Sequence, residues 1–227
     1  MSFSAADVSA LLLTLKLAGL TTVVLLLIGT PLAWWLAHSR WRFRFLIETL
    51  LALPLVLPPT VLGFYLLLLL GPNGWLGQLS LWLSGHALAF TFNGLLIGSV
   101  IYSLPFVVQP LMDTFQTLGR RPLEIAATLG ASPLHTFFTL IVPMSRAGYI
   151  TAAMLAFAHT LGEFGVVLMI GGNLPDRTRV LSLAIYEHVE SLEYTQAHLL
   201  SVTMLLLSFV ILLIVYGLRG RLRWVSA

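Results

Sequence analysis

The sequence predicts an all-α integral membrane protein, with about five transmembrane helices and a helix-turn-helix loop on the cytoplasmic side. Three observations carry this reading. Hydrophobic residues make up 58% of the 227 and charged residues only 9%, against about 25% charged in a soluble domain, so the chain cannot clothe a globule in polar surface. The apolar runs are long and uninterrupted rather than alternating, which suits helices and not a β-barrel. The positive charges fall in short clusters beside those runs, so the net charge of +3 is a topology signal and not a nucleic-acid footprint.

The elements follow in order. The first apolar segment covers about 8–38, with Lys16 in its outer part. It has no basic start and continues past Trp34 and Trp35, beyond the core of a cleaved signal peptide. The second covers about 45–71, the third 87–111, the fourth 147–172 and the fifth 198–218. Each reaches the ~20 residues that cross a bilayer. No soluble domain, low-complexity tract or internal repeat interrupts them, so 1–227 reads as one transmembrane domain.

Orientation follows from arginine. Arg40, Arg42 and Arg44 lie between segments one and two; Arg120, Arg121 and Arg146 bracket the loop between three and four; Arg219, Arg221 and Arg223 follow segment five. In a five-span chain these fall on one side, the cytoplasmic one. The opposite side has Arg177 and Arg179 offset by Asp176, Glu187, Glu190 and Glu193, and a 72–86 loop without charge. The N-terminus is therefore expected outside and the C-terminus inside.

The loop at about 119–145 has its own shape. Pro122 suits the first turn of a helix, Glu124 favours the positive end of its dipole, and Gly130 suits the left-handed residue that ends it. Ser132 and Pro133 read as the cap and first residue of a second helix. The expectation is two helical turns, a glycine turn and a helix leading back to the membrane. Ala126 and Ala127 would leave one face bare for a docking protein.

Two intramembrane motifs stand out. The second segment contains Leu53-Pro54-Leu55-Val56-Leu57-Pro58-Pro59-Thr60-Val61-Leu62-Gly63. Three prolines this close free backbone carbonyls and bend or break the helix, and broken helices in transporters line the substrate route. The other reading is a packing kink. The fourth segment carries Phe157-Ala158-His159-Thr160-Leu161-Gly162-Glu163-Phe164-Gly165. Glu163 falls roughly 24 Å along a helix begun at Ala147, past the midplane, where an ionisable group marks function. The other reading is a carboxyl that fixes helix packing. A gate or scaffold role suits such a carboxyl better than direct binding of cargo. His159, one turn earlier, has the i, i+4 spacing of a partner.

These residues also carry a resemblance. Glu124-x-Ala126-x-x-x-Gly130, nine residues, then Leu140-Ile141-Val142-Pro143 resembles the "EAA" loop of bacterial ABC-importer permeases. Ile125 stands at the usual first alanine, and Leu140 and Val142 stand for the usual Ile and Leu. The runs Leu53 to Gly63, Leu161 to Gly165 and Asn173-Leu174-Pro175-Asp176-Arg177-Thr178-Arg179 are similar to the molybdate branch, with sulfate permeases alike in the same places. His159-Thr160 stands where Arg-Ser is usual.

The resemblance implies a type I importer permease in the bacterial inner membrane, translocating molybdate, with tungstate or sulfate and thiosulfate as alternatives. It implies a homodimer, two cytoplasmic ATP-binding cassette ATPases and an extracytoplasmic molybdate-binding protein. Glu124, Ala126, Ala127, Gly130 and Pro143 would form the ATPase-coupling loop. Pro54, Pro58, Pro59, Thr60, Gly63, His159, Gly162, Glu163 and Gly165 are the candidates for the translocation pathway and its gate. From the residues alone, an ion-coupled carrier with a His159–Glu163 proton relay stays open, as does a membrane enzyme using the same pair.

The chain has no Gly-rich loop ending in Gly-Lys-Ser/Thr, so ATP and Mg would belong to the partner and no cofactor to this chain. It has no cysteine, which excludes disulfides, thiolate metal sites and thiol catalysis. His38, His86, His135, His188 and His198 are scattered without metal-site spacing and read as interfacial polar residues.

Overall fold

The computed structural model describes residues 3–224, with side chains from 3 to 217; the side chains of Arg219, Arg221 and Arg223 lie outside the described residues. Helix α1 (Ala5–His38) opens on a capping box. Ser4 Oγ accepts from Asp7 N–H at 3.1 Å, and the Asp7 carboxylate accepts from Ser4 N–H at 3.0 Å, satisfying two end donors reciprocally. At about 1.5 Å per residue α1 is longer than a bilayer core is thick.

The second segment is not one straight helix. It divides into α2 (Arg44–Val56) and α3 (Pro59–Leu70), bent by 112° at Leu57-Pro58. Pro58 and Pro59 supply no N–H to continue the ladder, and Leu57 before them is extended. A short helix, α4 (Trp75–Ser84), follows in the uncharged loop.

The third segment lies further along the chain than 87–111. It forms α5 (Phe92–Ser103) and α6 (Pro105–Leu118), bent by 42°. Residues 87–91 turn instead, because Thr91 caps α5 by accepting from Gly94 N–H at 3.1 Å. Pro105 opens α6, where it costs little.

Helix α7 (Arg121–Thr128) is followed by α8 (Pro133–Thr136), a π-helical turn (Phe137–Ile141) and α9 (Val142–Met144). A 73° bend at Ser145 leads into α10 (Arg146–Leu161). The fourth segment is therefore also broken. Helix α10 stops at Leu161, and α11 (Gly165–Gly171) restarts after three irregular residues. Helices α12 (Leu181–Glu190) and α13 (Tyr194–Trp224) complete the chain, α13 starting before the expected 198. Among the described residues, Ala5–His38 and Tyr194–Gly217 are long and apolar enough to span alone; the three bent pairs bring the number of candidate spans to five.

Three helices make the main core. Leu25, Ala33 and Leu36 of α1 pack on Val107, Val108, Leu111 and Phe115 of α6 and on Ala152 and Ala156 of α10. Small residues at such contacts let helix backbones approach, as membrane packing requires. A second cluster joins Leu66 and Leu70 of α3 to Val166 and Ile170 of α11. Arg120 donates to the His38 carbonyl at 3.1 Å, so the ends of α1 and α6 share one end of the bundle. His188 of α12 meets Asp7 of α1 at the other.

Candidate functional site

The two broken segments meet. Gly165 lies against the start of α3: a Cβ there would stand 2.8 Å from Pro59 Cβ. Gly63 lies against α11, where a Cβ would stand 2.8 Å from Met169 Cβ and 3.1 Å from Val166 Cα. Neither contact survives a side chain, so the expected pathway residues Pro59, Thr60, Gly63 and Gly165 form one junction. Pro58, Pro59 and Thr60 are exposed on its rim, Pro54 is half-buried upstream, and Gly162 is exposed at the break. Discontinuous helices that meet at membrane depth free backbone groups where a polar path can use them.

Glu163 sits in the break and is buried. Ser99 Oγ of α5 donates to its Oε2 at 2.7 Å, and its main-chain carbonyl accepts from Ser182 Oγ at 2.6 Å. Its Oε1 is buried without a partner among the described residues. His159 does not pair with Glu163, contrary to the i, i+4 expectation. Its Nδ1 is 2.8 Å from Ser103 Oγ, and its ring stacks on Phe106 with centroids 4.1 Å apart. The reason is local: α10 ends at Leu161, so Glu163 leaves the helical register that the spacing assumed. Ser103 also lies 3.2 Å from Thr160 Oγ1.

Ser99 and Ser103 were missed by sequence reasoning. They stand four apart in an otherwise apolar run, hence on one face of α5, and that periodicity is the signal that could have found them. The 173–179 run makes a clasp beside the junction. Thr178 is buried, donates to the Gly171 carbonyl at 2.6 Å and accepts from Leu174 N–H at 3.0 Å. Arg179 pairs with Glu187 at 2.9 Å.

At the Arg120 end of the bundle the 119–145 loop is ordered. Gly130 has φ +78°, Ala131 N–H reaches the Ala126 carbonyl at 3.1 Å and Gly130 N–H reaches Ala127 at 3.0 Å. This paired closure is the Schellman motif, which favours glycine at the left-handed residue. Ser132 caps α8 by accepting from His135 N–H. Val142 N–H reaches the Phe137 carbonyl, the wider π-helical step, which makes room for the Pro143 ring.

The loop does not present a bare alanine face. Ala127 is exposed, but Ala126 is buried against this chain. Exposed on the loop instead are Glu124, Ile125 and Leu129, the last 81% accessible, with Leu134 and Phe138 beyond. Arg121, Ile125, Leu129 and Met144 line an apolar cleft of about 510 Å³.

Broken spans joined at a buried carboxyl, with an ordered apolar-faced loop at one end, define a membrane transport protein. The model of the binding-protein-dependent transport system inner membrane component family matches residues 29–224, and the chain belongs to that family. A molybdenum transport system permease protein of Azotobacter vinelandii is 58% identical over 219 residues, covering 96% of this chain and 97% of that one. The corresponding protein of Escherichia coli K12 is 33% identical over 80% of each chain. A probable sulfate transport system permease of Zygnema circumcarinatum is 32% identical over 91% of this chain and 72% of its own.

Two crystal structures of a bacterial alginate ABC transporter are similar in fold. One superposes with a TM-score of 0.74 at 16% identity, covering 99% of this chain and 82% of that one. The other, in complex with an alginate pentasaccharide-bound periplasmic protein, gives 0.77 at 16%, covering 96% and 80%.

Proposed function

We propose that the chain is the translocating subunit of an ATP-driven importer of molybdate in the bacterial inner membrane. The observation that carries this is the 58% identity with the Azotobacter permease over nearly the whole of both chains. The chain works as a homodimer with the path on the two-fold axis, since five spans enclose a polar path poorly alone. It stands in the membrane as one domain, 1–227, with the N-terminus outside.

The inner loop supplies the coupling. Two ATP-binding cassette subunits hold ATP and Mg, and each docks on the exposed Ile125–Leu129 face beside the apolar cleft. Gly130 sets the direction of α8 relative to α7. The 73° bend at Ser145 then turns a push on the loop into movement of α10. Glu163 and His159, tied to α5 through Ser99 and Ser103, carry that movement to the α3–α11 junction. Glu163 acts there as a scaffold for the gate and not as an anion ligand. An extracytoplasmic binding protein delivers the anion and supplies most of the selectivity. Nucleotide shifts the inward and outward states by its differential affinity for them.

Sulfate is the second substrate reading, favoured by the Zygnema relative. Competition between labelled molybdate and unlabelled sulfate or tungstate, in cells carrying the complete transporter, separates the readings. Molybdate uptake that excess sulfate leaves intact supports the first, and uptake abolished by sulfate supports the second.

A further inference from the structure

We propose that the groove between the first turns of α1 and the 173–180 loop binds the headgroup of an anionic phospholipid, in the leaflet at the N-terminal end of α1. The groove has a volume of about 490 Å³ and contains Lys16 and Arg177. Lys16 lies eleven residues into α1, about 16 Å from its start. It interrupts an outward-facing apolar stripe: Leu12, Leu20, Val23 and Leu27 are all exposed, and their spacing of three and four puts them on one face with it. A stripe of this kind meets acyl chains, and a cation inside it needs an anion or a route to water.

The rest of the groove supplies the anion's geometry. The Lys16 ammonium is held 4.7 Å above the Phe92 ring, a cation–π contact that orients it without neutralising it. Among the described residues neither Lys16 nor Arg177 has an ion-pair partner, although Asp176 lines the same groove. Two positive groups and one negative leave one net positive charge. That balances a phosphodiester, which carries a single negative charge, better than a dianion. Leu20 and Val23, exposed further along the same face toward the bilayer centre, form the apolar wall along which a chain would leave the headgroup.

A free tetrahedral oxyanion shares this chemistry, and the test separates the two. The full chain is placed in nanodiscs of mixed phosphatidylglycerol and phosphatidylcholine, and retained lipid is counted by native mass spectrometry. Phosphatidylglycerol should be retained about fivefold over phosphatidylcholine, the preference expected from one net basic charge at a bilayer surface. Lys16→Gln with Arg177→Gln, which leaves Asp176 as the one charge in the groove, should bring the ratio below one, and Lys16→Arg should keep it. Asp176→Asn, which suits the left-handed backbone at that position (φ +59°), should raise it. Equal retention of the two lipids by the unaltered protein overturns the proposal, as does a ratio that Asp176→Asn leaves unchanged. Displacement of the lipid by millimolar molybdate also overturns it, by assigning the groove to a free oxyanion.

Discussion

Glu163 accepts one side-chain hydrogen bond, from Ser99, where a carboxylate has room for several. That makes Ser99 the test of its surroundings. Ser99→Ala leaves a buried polar group unpaired, which costs about 1–3 kcal/mol and should lower the melting temperature in detergent. Ser103→Ala should cost a similar amount, because it removes the partner of His159 Nδ1 and of the buried Thr160 hydroxyl together. Glu163→Gln keeps an oxygen to accept from Ser99 and should retain a good part of uptake with unchanged anion preference. Glu163→Ala removes that oxygen and should do worse. If Gln abolished uptake as fully as Ala, ionisation would be required and the proton-relay reading would gain. At this scale Glu163 was legible because a carboxyl in an apolar run stands out. Its partner was not, because nothing in the i, i+4 pattern shows that α10 stops two residues earlier.

Among the elements, the turn at Gly130 was readable because its causes are local: a proline at the helix start, a glycine past its end and a Ser-Pro cap. Which alanine faces outward was not, since Ala126 is covered by tertiary packing. The double break in the second and fourth segments was half legible; prolines announce the first, but no proline stands at Gly162–Phe164. Gly130→Asp puts a side chain at φ +78° on the proposed docking face. It should leave the protein in the membrane while reducing co-purification of the ATPase and substrate-stimulated hydrolysis; normal assembly and transport would remove the docking role. At the other end, His188 of α12 contacts Asp7 of α1 and Glu193. Partial burial alone would pull its pKa down, but hydrogen bonds to the two carboxylates outweigh this and hold it above the ordinary 6.5. The contact therefore stabilises fully below the ordinary value and fades as pH rises through the raised one. The protection of amides in the first turns of α1 against hydrogen exchange, with the intrinsic pH dependence divided out, should fall over that rise, and His188→Gln should flatten the response.

For the whole molecule, composition and arginine placement indicated a helical membrane protein before any contact was known, because the bilayer constrains charge and run length so strongly. How the spans pack was not readable, since apolar faces in a membrane carry little periodicity to say which helix each meets. The proposed orientation predicts that a reporter fused after Ala227 behaves as cytoplasmic, and an active periplasmic reporter there would reverse the inner loop with it. The most direct measurement is uptake of labelled molybdate into proteoliposomes holding this chain with the proposed ATPase and binding protein. Uptake should require ATP on the loop side and persist when a protonophore collapses the proton gradient. Uptake that proceeds without ATP and follows an imposed ion gradient would contradict the importer reading.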